Sequence, residues 1–329
     1  MDIIPLAAES LGTRATCMLI HTEDQVILFD PSVSLGPRRY GLAPHLEELS
    51  SAFLSRQLIL NAVKCAEKII QSHYHGDHFT LRLYRPFEFT DKSVFQKTYA
   101  QHDKVILAKD NAAHINYNQK KRARWLWQLP KINIYSADNR TFQFGETNIR
   151  FSPPLPHGPV PGSWVISTTI SDSSSSILIT SDVNGPSSDK ALDFILSTDV
   201  DLVVLDGPST YHPKQSSKQS LESFERILKI IDSGSSLIID HHFLRDIRWK
   251  TILRELNILN KIRTLAEVVG IAPICLESLR KELHENSPLP IGFHDKFVAG
   301  SPDILKEIKA TSEKLPHAKL SQMIQDLNN

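Results

Sequence analysis

Three cysteines are all that this 329-residue sequence contains: Cys17, Cys65 and Cys275. An odd number at unrelated spacings excludes a disulfide framework and fits a reducing compartment. Long apolar runs are missing too, since none approaches the roughly 18 to 20 residues that a bilayer-spanning helix requires. The opening MDIIPLAAES has no basic lead-in and reaches Glu9 too soon for a secretory signal. A cytoplasmic protein with no membrane partner is the expectation. Net charge is absent as well, with 37 Lys plus Arg set against 37 Asp plus Glu. A protein that coats nucleic acid or hugs a membrane needs a sustained positive field, so this balance speaks against both. No tandem repeat of the solenoid type occurs. What remains is 41% hydrophobic and 22% charged residues, enough apolar material for a large core and too much for wholesale disorder. The length admits roughly two average domains or one large α/β fold.

Short strands open the chain. Residues 3–8 are apolar, 15–21 alternate, and 25–30 (QVILFD) form a β-branched and aromatic run, with Thr22, Glu23 and Asp24 as a polar hairpin turn. Pro31 stops that third strand, because proline cannot continue a ladder. A Gly- and Pro-rich loop at 34–45 leads into a helical stretch at 46–68 and a short strand at 68–71. From 80 to 140 the texture changes to aromatic and charged, including the basic run KKRAR at 120–124 beside Trp125 and Trp127. This reads as an inserted or elaborated segment with some helix. Strand texture returns in TFQFG, TNIRFS and SWVISTTI. The SDSSSS cluster is a hairpin turn, because ILITSD follows at once. A helix at 191–197, a strand at 201–207, a helix at 217–232 and the strand SLIIDHH follow, with helical patterns again at 245–267 and after Pro302. Hairpins, then a helix, then the same order again predict an α/β fold of two facing mixed sheets flanked by helices. The whole of 1–329 is expected to form a single domain, closing with helices over 245–329.

The chemistry concentrates in His73-Tyr74-His75-Gly76-Asp77-His78. Three imidazoles and a carboxylate in six residues repel when charged, and burying an unpaired one costs several kcal/mol. On an extended segment His73 and His75 point the same way, because side chains alternate, and can chelate one cation. Past the Gly76 turn, Asp77 and His78 can reach a second. Neutral imidazole and carboxylate suit Zn²⁺ and related divalent ions such as Mn²⁺ or iron.

The HxHxDH pattern at 73–78 resembles the signature of the metallo-β-lactamase-fold hydrolases. Further landmarks of that family follow in order: Asp30 at the end of an early buried strand, His157 in PLPHG, Asp182 in ILITSDV and His241 in LIIDHH. The resemblance covers residues 1 to about 245 and implies a four-layer αββα sandwich. It also implies roles. His73, His75 and His157 would hold one metal, Asp77, His78 and His241 a second, and Asp182 would bridge them. Zn²⁺, two ions, is the implied cofactor. A hydroxide between the ions would attack an ester, with Asp77 and Asp182 as the catalytic carboxylates. Asp30 would lie behind the imidazoles and fix their orientation. PLAAESLGTRAT, DPSVSLGPRRYGLAPH, DGPSTYH and DHHFLRD also resemble an uncharacterised archaeal branch of this superfamily.

Other residues carry competing readings. On a strand, His241 and His242 face opposite sides, so only one is expected to be a ligand, the other a supporting or substrate residue. The spacing of His241 to Arg245 resembles that in tRNA-maturing members and favours His241. Asp206 is an acid supporting the ligands from behind, a substrate contact, or a turn cap before Gly207. Tyr211 and His212 belong to the same loop. Arg38, Arg39 and Arg245 are candidates for gripping an anion at the rim. Their alternative is a solvated loop or an ion pair with Asp246 or Glu47. KKRAR with Trp125 and Trp127 could stack single-stranded nucleic acid, but a solvated helix face suits the neutral chain better. Tyr74 and Phe79 read as core. The leading expectation is a metal-dependent hydrolase of a phosphodiester, another anionic ester or a small molecule. A non-haem iron oxidoreductase and a non-catalytic metal-binding sensor are the alternatives.

Overall fold

Apolar triplets bounded by turn residues become strands, and the strands assemble into two mixed sheets. The structure, a computed structural model, describes residues 1–158 and 162–327. The first sheet runs in the order β1 (Asp2–Ala8), β2 (Thr16–His21), β3 (Val26–Phe29), β4 (Lys68–Gln71), β5 (Val105–Ala108) and β6 (Asn133–Ser136). Strands β1 to β3 meander antiparallel, and β3 to β6 are parallel.

The second half begins with β7 (Thr141–Phe144) and β8 (Thr147–Phe151), followed by a separate small pair, β9 (Leu155–Pro156) and β10 (Trp164–Val165). Then come β11 (Thr168–Ser171), β12 (Ser176–Ile179), β13 (Leu202–Leu205), β14 (Ser236–Ile239) and β15 (Ile262–Arg263). The second sheet has the order β15-β14-β13-β12-β11-β8-β7. It is parallel from β12 to β15 and antiparallel elsewhere.

Because side chains alternate along a strand, this second sheet feeds two cores. Ile177, Ile179 and Val204 join the cluster shared with Leu28 and Ile70 of the first sheet. Leu178, Val203 and Leu205 face away, onto Leu192 and Ile195 of the helix Asp189–Leu196 and onto Phe224 and Ile227 of the helix Ser217–Asp232. The helix Leu46–Cys65 covers the first sheet, and Pro302–Ser312 and Leu320–Leu327 pack against it. The result is the layering helix, sheet, sheet, helix, with aliphatic side chains each stabilising by about 1.5–3 kcal/mol when fully buried. No helix among the described residues is long and apolar enough to cross a membrane.

Three local expectations come out differently. Residues 80–140 supply β5 and β6, two parallel strands at the edge of the first sheet, as well as the helices Lys92–Tyr99 and Tyr117–Trp127. The stretch 245–267 is broken into a short helix, Trp249–Glu255, and the edge strand β15. The strand predicted through His242 ends at Ile239, which reshapes the site.

Candidate metal centre

Apart from His157, which follows the small strand β9, every landmark residue leaves the carboxyl end of a strand in one of the two sheets, where open α/β sheets place their ligand crevice. Asp30 follows β3, the motif follows β4, Asp182 follows β12, Asp206 follows β13, and the histidine doublet follows β14. The backbone turns sharply there. Asp30, Ser181 and His241 have positive φ values of 43°, 56° and 74°. Non-glycine residues adopt that region at a cost, and such strain clusters where structure serves a site.

Asp182 occupies the middle. Its Oδ1 lies 3.0 Å from His78 Nε2 and 3.6 Å from His241 Nε2. Its Oδ2 lies 3.1 Å from His157 Nε2, 3.6 Å from His73 Nε2 and 3.5 Å from His242 Nε2. One carboxylate oxygen thus faces each half of the cluster. His73, His75, His157 and Asp182 each bring a donor atom within 4.8 Å of the others, and Asp77, His78 and His241 do the same. His73 Nε2 is buried without a hydrogen-bond partner. A lone imidazole nitrogen aimed at carboxylate oxygens fits a divalent cation.

The electrostatics keep most of these donors unprotonated, as metal binding requires. Burial, with His78 adding to it, holds His73 well below the ordinary imidazole value. Burial likewise holds His75, His241 and His242 at about 3. Burial also opposes charge on His78, but Asp182 and Asp30 outweigh it and hold that imidazole well above its usual value. Asp182, which burial would raise, is drawn well below the carboxylate range by His78, His242 and His241.

The supports come from far along the chain. Asp30 Oδ2 takes His78 Nδ1 at 2.8 Å, and its other oxygen accepts from Ser72 N at 2.7 Å. Asp206 Oδ2 takes His242 Nδ1 at 2.8 Å and accepts from Asn184 N at 2.7 Å. Gln119, on the helix Tyr117–Trp127, places its amide nitrogen 3.2 Å from His75 Nε2. On the same helix Arg122 donates to Tyr74 O at 2.9 Å, and Trp127 Nε1 donates to the Tyr74 hydroxyl at 2.8 Å. The basic run therefore clamps the motif through one arginine, while Lys121 and Arg124 stay exposed. Trp125 and Trp127 pack against the core instead of forming a stacking face. Gln119 and Ser72 carried no signal in the sequence; only a helix register relative to the motif could have revealed Gln119.

The expectation that the two histidines of the doublet face opposite sides is corrected. With β14 ending at Ile239, His241 turns left-handed and His242 is helical at φ −60° and ψ −46°. Alternation no longer applies, and both rings, 4.5 Å apart, face Asp182. The three arginines follow the alternative of a solvated loop or an ion pair, though with a different partner. Arg38 is exposed. Arg39 lies over the Tyr211 ring at 4.5 Å and donates to Arg245 O. Arg245 is buried, pairing at 2.9 Å with Glu9 rather than with Asp246 or Glu47. His212 stays on the exposed surface.

Two cavities flank the cluster. One of about 260 Å³ is lined by His75, His157, Asn184, Tyr211, Gln215 and His242. The other, about 470 Å³, meets Asp77 and is lined by Arg14, Arg85, Glu88 and Arg122.

No protein-family model matches the chain. It is 37% identical over 298 residues to the UPF0282 protein MJ1629 of Methanocaldococcus jannaschii, covering 88% of this chain and 98% of that protein. Among solved structures, isothiocyanate hydrolase from Delia radicum gut bacteria superposes with a TM-score of 0.51 at 16% identity, over 77% of this chain and 94% of that one. The metallo-β-lactamase fold protein YhfI from Bacillus subtilis aligns at a TM-score of 0.43 and 15% identity, over 73% and 85%. The paired mixed sheets between helices form the layering expected of the metallo-β-lactamase fold, and share it with the isothiocyanate hydrolase.

Proposed function

We infer that this chain, which belongs to the UPF0282 family of archaeal proteins, is a metal-dependent hydrolase acting on a small anionic ester, a phosphodiester being the first candidate. The observation that carries the reading is the placement of Asp182, one oxygen toward His73 and His157 and the other toward His78 and His241. His73, His75, His157 and Asp182 would hold one divalent ion, and Asp77, His78, His241 and Asp182 a second, zinc being the first choice for such donors. A bound divalent ion lowers the pKa of water and polarises the bond under attack.

The remaining residues orient and bind. Asp30 and Asp206 fix His78 and His242 by their Nδ1 atoms and direct each Nε2 at Asp182. Anion preference is supported by Arg85 and Arg122, which line the cavity that meets Asp77. Guanidinium forks there suit a phosphate or carboxylate. Tyr211 and His242 line the opposite cavity, where the departing half of the substrate would lie.

The test is turnover of bis-p-nitrophenyl phosphate, with thioester and lactone panels alongside, by protein loaded with zinc, manganese or iron. Hydrolysis that disappears in Asp182→Ala is the expected result. Metal bound at the cluster with no turnover of any substrate would leave a sensor protein instead. Iron in the purified protein, with a ligand-field absorption band, would favour the oxidoreductase.

A further inference from the structure

We propose that Arg245 makes the two halves of this centre unequal, so that His73, His75, His157 and Asp182 hold a divalent cation tightly while Asp77, His78 and His241 hold a second one more weakly. This rests on the reading of the cluster as a metal centre and adds a property that two sets of donors alone do not predict.

Arg245 Nη2 lies 3.1 Å from Nδ1 and 3.2 Å from Nε2 of His241, and 3.6 Å from Asp77 Oδ2. Being nearly equidistant from both ring nitrogens, it stands beside the imidazole and not in line with one lone pair. The guanidinium thus touches two of the three donors that belong to the second half alone. A guanidinium does not release its proton in a protein. Buried as it is, its charge is weakly screened. Asp77 is the one carboxylate that the second half does not share, and Arg245 offsets that charge before any cation arrives.

Nor can Arg245 easily retreat. Nε is bound to Glu9 Oε2 at 2.9 Å, Nη1 to the Tyr211 hydroxyl at 3.2 Å, and its carbonyl accepts from Arg39 at 2.9 Å. The first half is placed differently. Among the described residues Asp182 has ion-pair contacts only with histidines, and no Lys or Arg pairs with it. Asp206 behind His242 and Asp30 behind His78 bring one further carboxylate to each side, so these acids leave the balance to Arg245. Both halves draw on Asp182, but only the second has two of its own donors, Asp77 and His241, beside a fixed positive charge.

The experiment is a titration of Zn²⁺ into the metal-free full-length protein, in competition with a chromophoric chelator. Two binding events separated by at least tenfold in affinity are expected. Asp77→Asn should remove the weaker event and leave the tighter one, and His75→Ala should do the reverse. Arg245→Gln and Arg245→Met, checked for native circular dichroism, should narrow the gap by strengthening the weaker event. Two equal events in the wild type overturn the inference, as does loss of the tighter event in Asp77→Asn. So does an unchanged gap in a folded Arg245 variant. Should both Arg245 variants fail to fold, the wild-type, Asp77→Asn and His75→Ala titrations still decide. No zinc binding at all overturns the metal-centre reading itself, whereas equal sites overturn only the inequality.

Discussion

Asp206 Oδ2 stands 2.8 Å from Nδ1 of His242, the separation that Asp30 Oδ2 keeps from Nδ1 of His78. The two acids end different strands in different sheets, β13 and β3, yet each turns an imidazole so that Nε2 meets Asp182. A carboxylate on the far nitrogen fixes the tautomer and raises the basicity of the near one. Asp30→Asn should therefore weaken zinc binding by about 10- to 100-fold with the fold retained. Asp206→Asn should do so only as far as His242 contributes to the centre. Chelator competition measures both, and an Asp30→Asn protein with wild-type affinity would contradict the positioning argument.

Gln119 is the one side chain of the helix Tyr117–Trp127 that reaches a landmark histidine, through His75 Nε2 at 3.2 Å. Gln119→Leu keeps the volume and removes the contact. The amide N–H takes up the lone pair of that ring nitrogen, because the amide oxygen accepts from Tyr74 N. Zinc affinity is therefore expected to rise in this variant while the melting temperature of metal-free protein changes little. An affinity equal to that of the wild type would make Gln119 a mere packing residue.

Metal should also stabilise the fold, since the donors converge only in the native state. At zinc a hundredfold above its dissociation constant, linkage raises stability by about 2.7 kcal/mol. Chelation should lower the thermal midpoint and zinc should restore it, with Asp182→Asn losing most of the response. A midpoint indifferent to chelator would argue against a bound ion.

Away from the centre, Arg280 and Glu48 form a fully buried pair, with Nη2 to Oε1 at 2.7 Å and Nε to Oε2 at 2.8 Å. Removing one partner strands a buried charge, so Arg280→Met should cost about 3–5 kcal/mol in urea unfolding. Glu48→Leu combined with Arg280→Met should recover part of that loss, short of about 1 kcal/mol for the Glu48 capping contact to His45 N. A double variant less stable than the single one would sink this account.

Acid sensitivity has a traceable contributor in His317, which burial holds at about 4 and whose Nδ1 lacks a partner. The unfolded imidazole titrates near 6.5. Between those values the unfolded chain binds the extra proton, so stability falls as pH drops, by about 1.4 kcal/mol per pH unit for this one group. His317→Gln should flatten the stability profile between about pH 6.5 and 4, as read by urea unfolding at several pH values. Parallel profiles for the two proteins would refute it.

Much of this was written locally. The spacing of His73, His75, Asp77 and His78 needs only an extended segment and the Gly76 turn, both legible from residue type. The apolar triplets ending in Asp30, Asp182 and Asp206 announced strand ends, because an acid cannot continue a buried run without a partner. Two sheets between helices followed from the order of hairpins and helices. The aromatic, charged texture of 80–140 concealed β5 and β6 because short parallel strands have no turn of their own to mark them.

What the chain alone could not reveal was which distant atoms would meet. The doublet is the clearest case. Asp240 accepts from Ser10 N and Leu265 N, segments 230 and 25 residues away. Immediately past it, the backbone of His241 turns left-handed and both rings swing onto Asp182. Arg245 is the other case, since the carboxylate that draws it inward is Glu9, at a separation of 236 residues. Period-two alternation and local charge pairing are rules of neighbouring residues. The composition of the centre was decided instead by long-range burial, because a carboxylate or guanidinium removed from water must take whatever partner the packed sheets bring within hydrogen-bond reach.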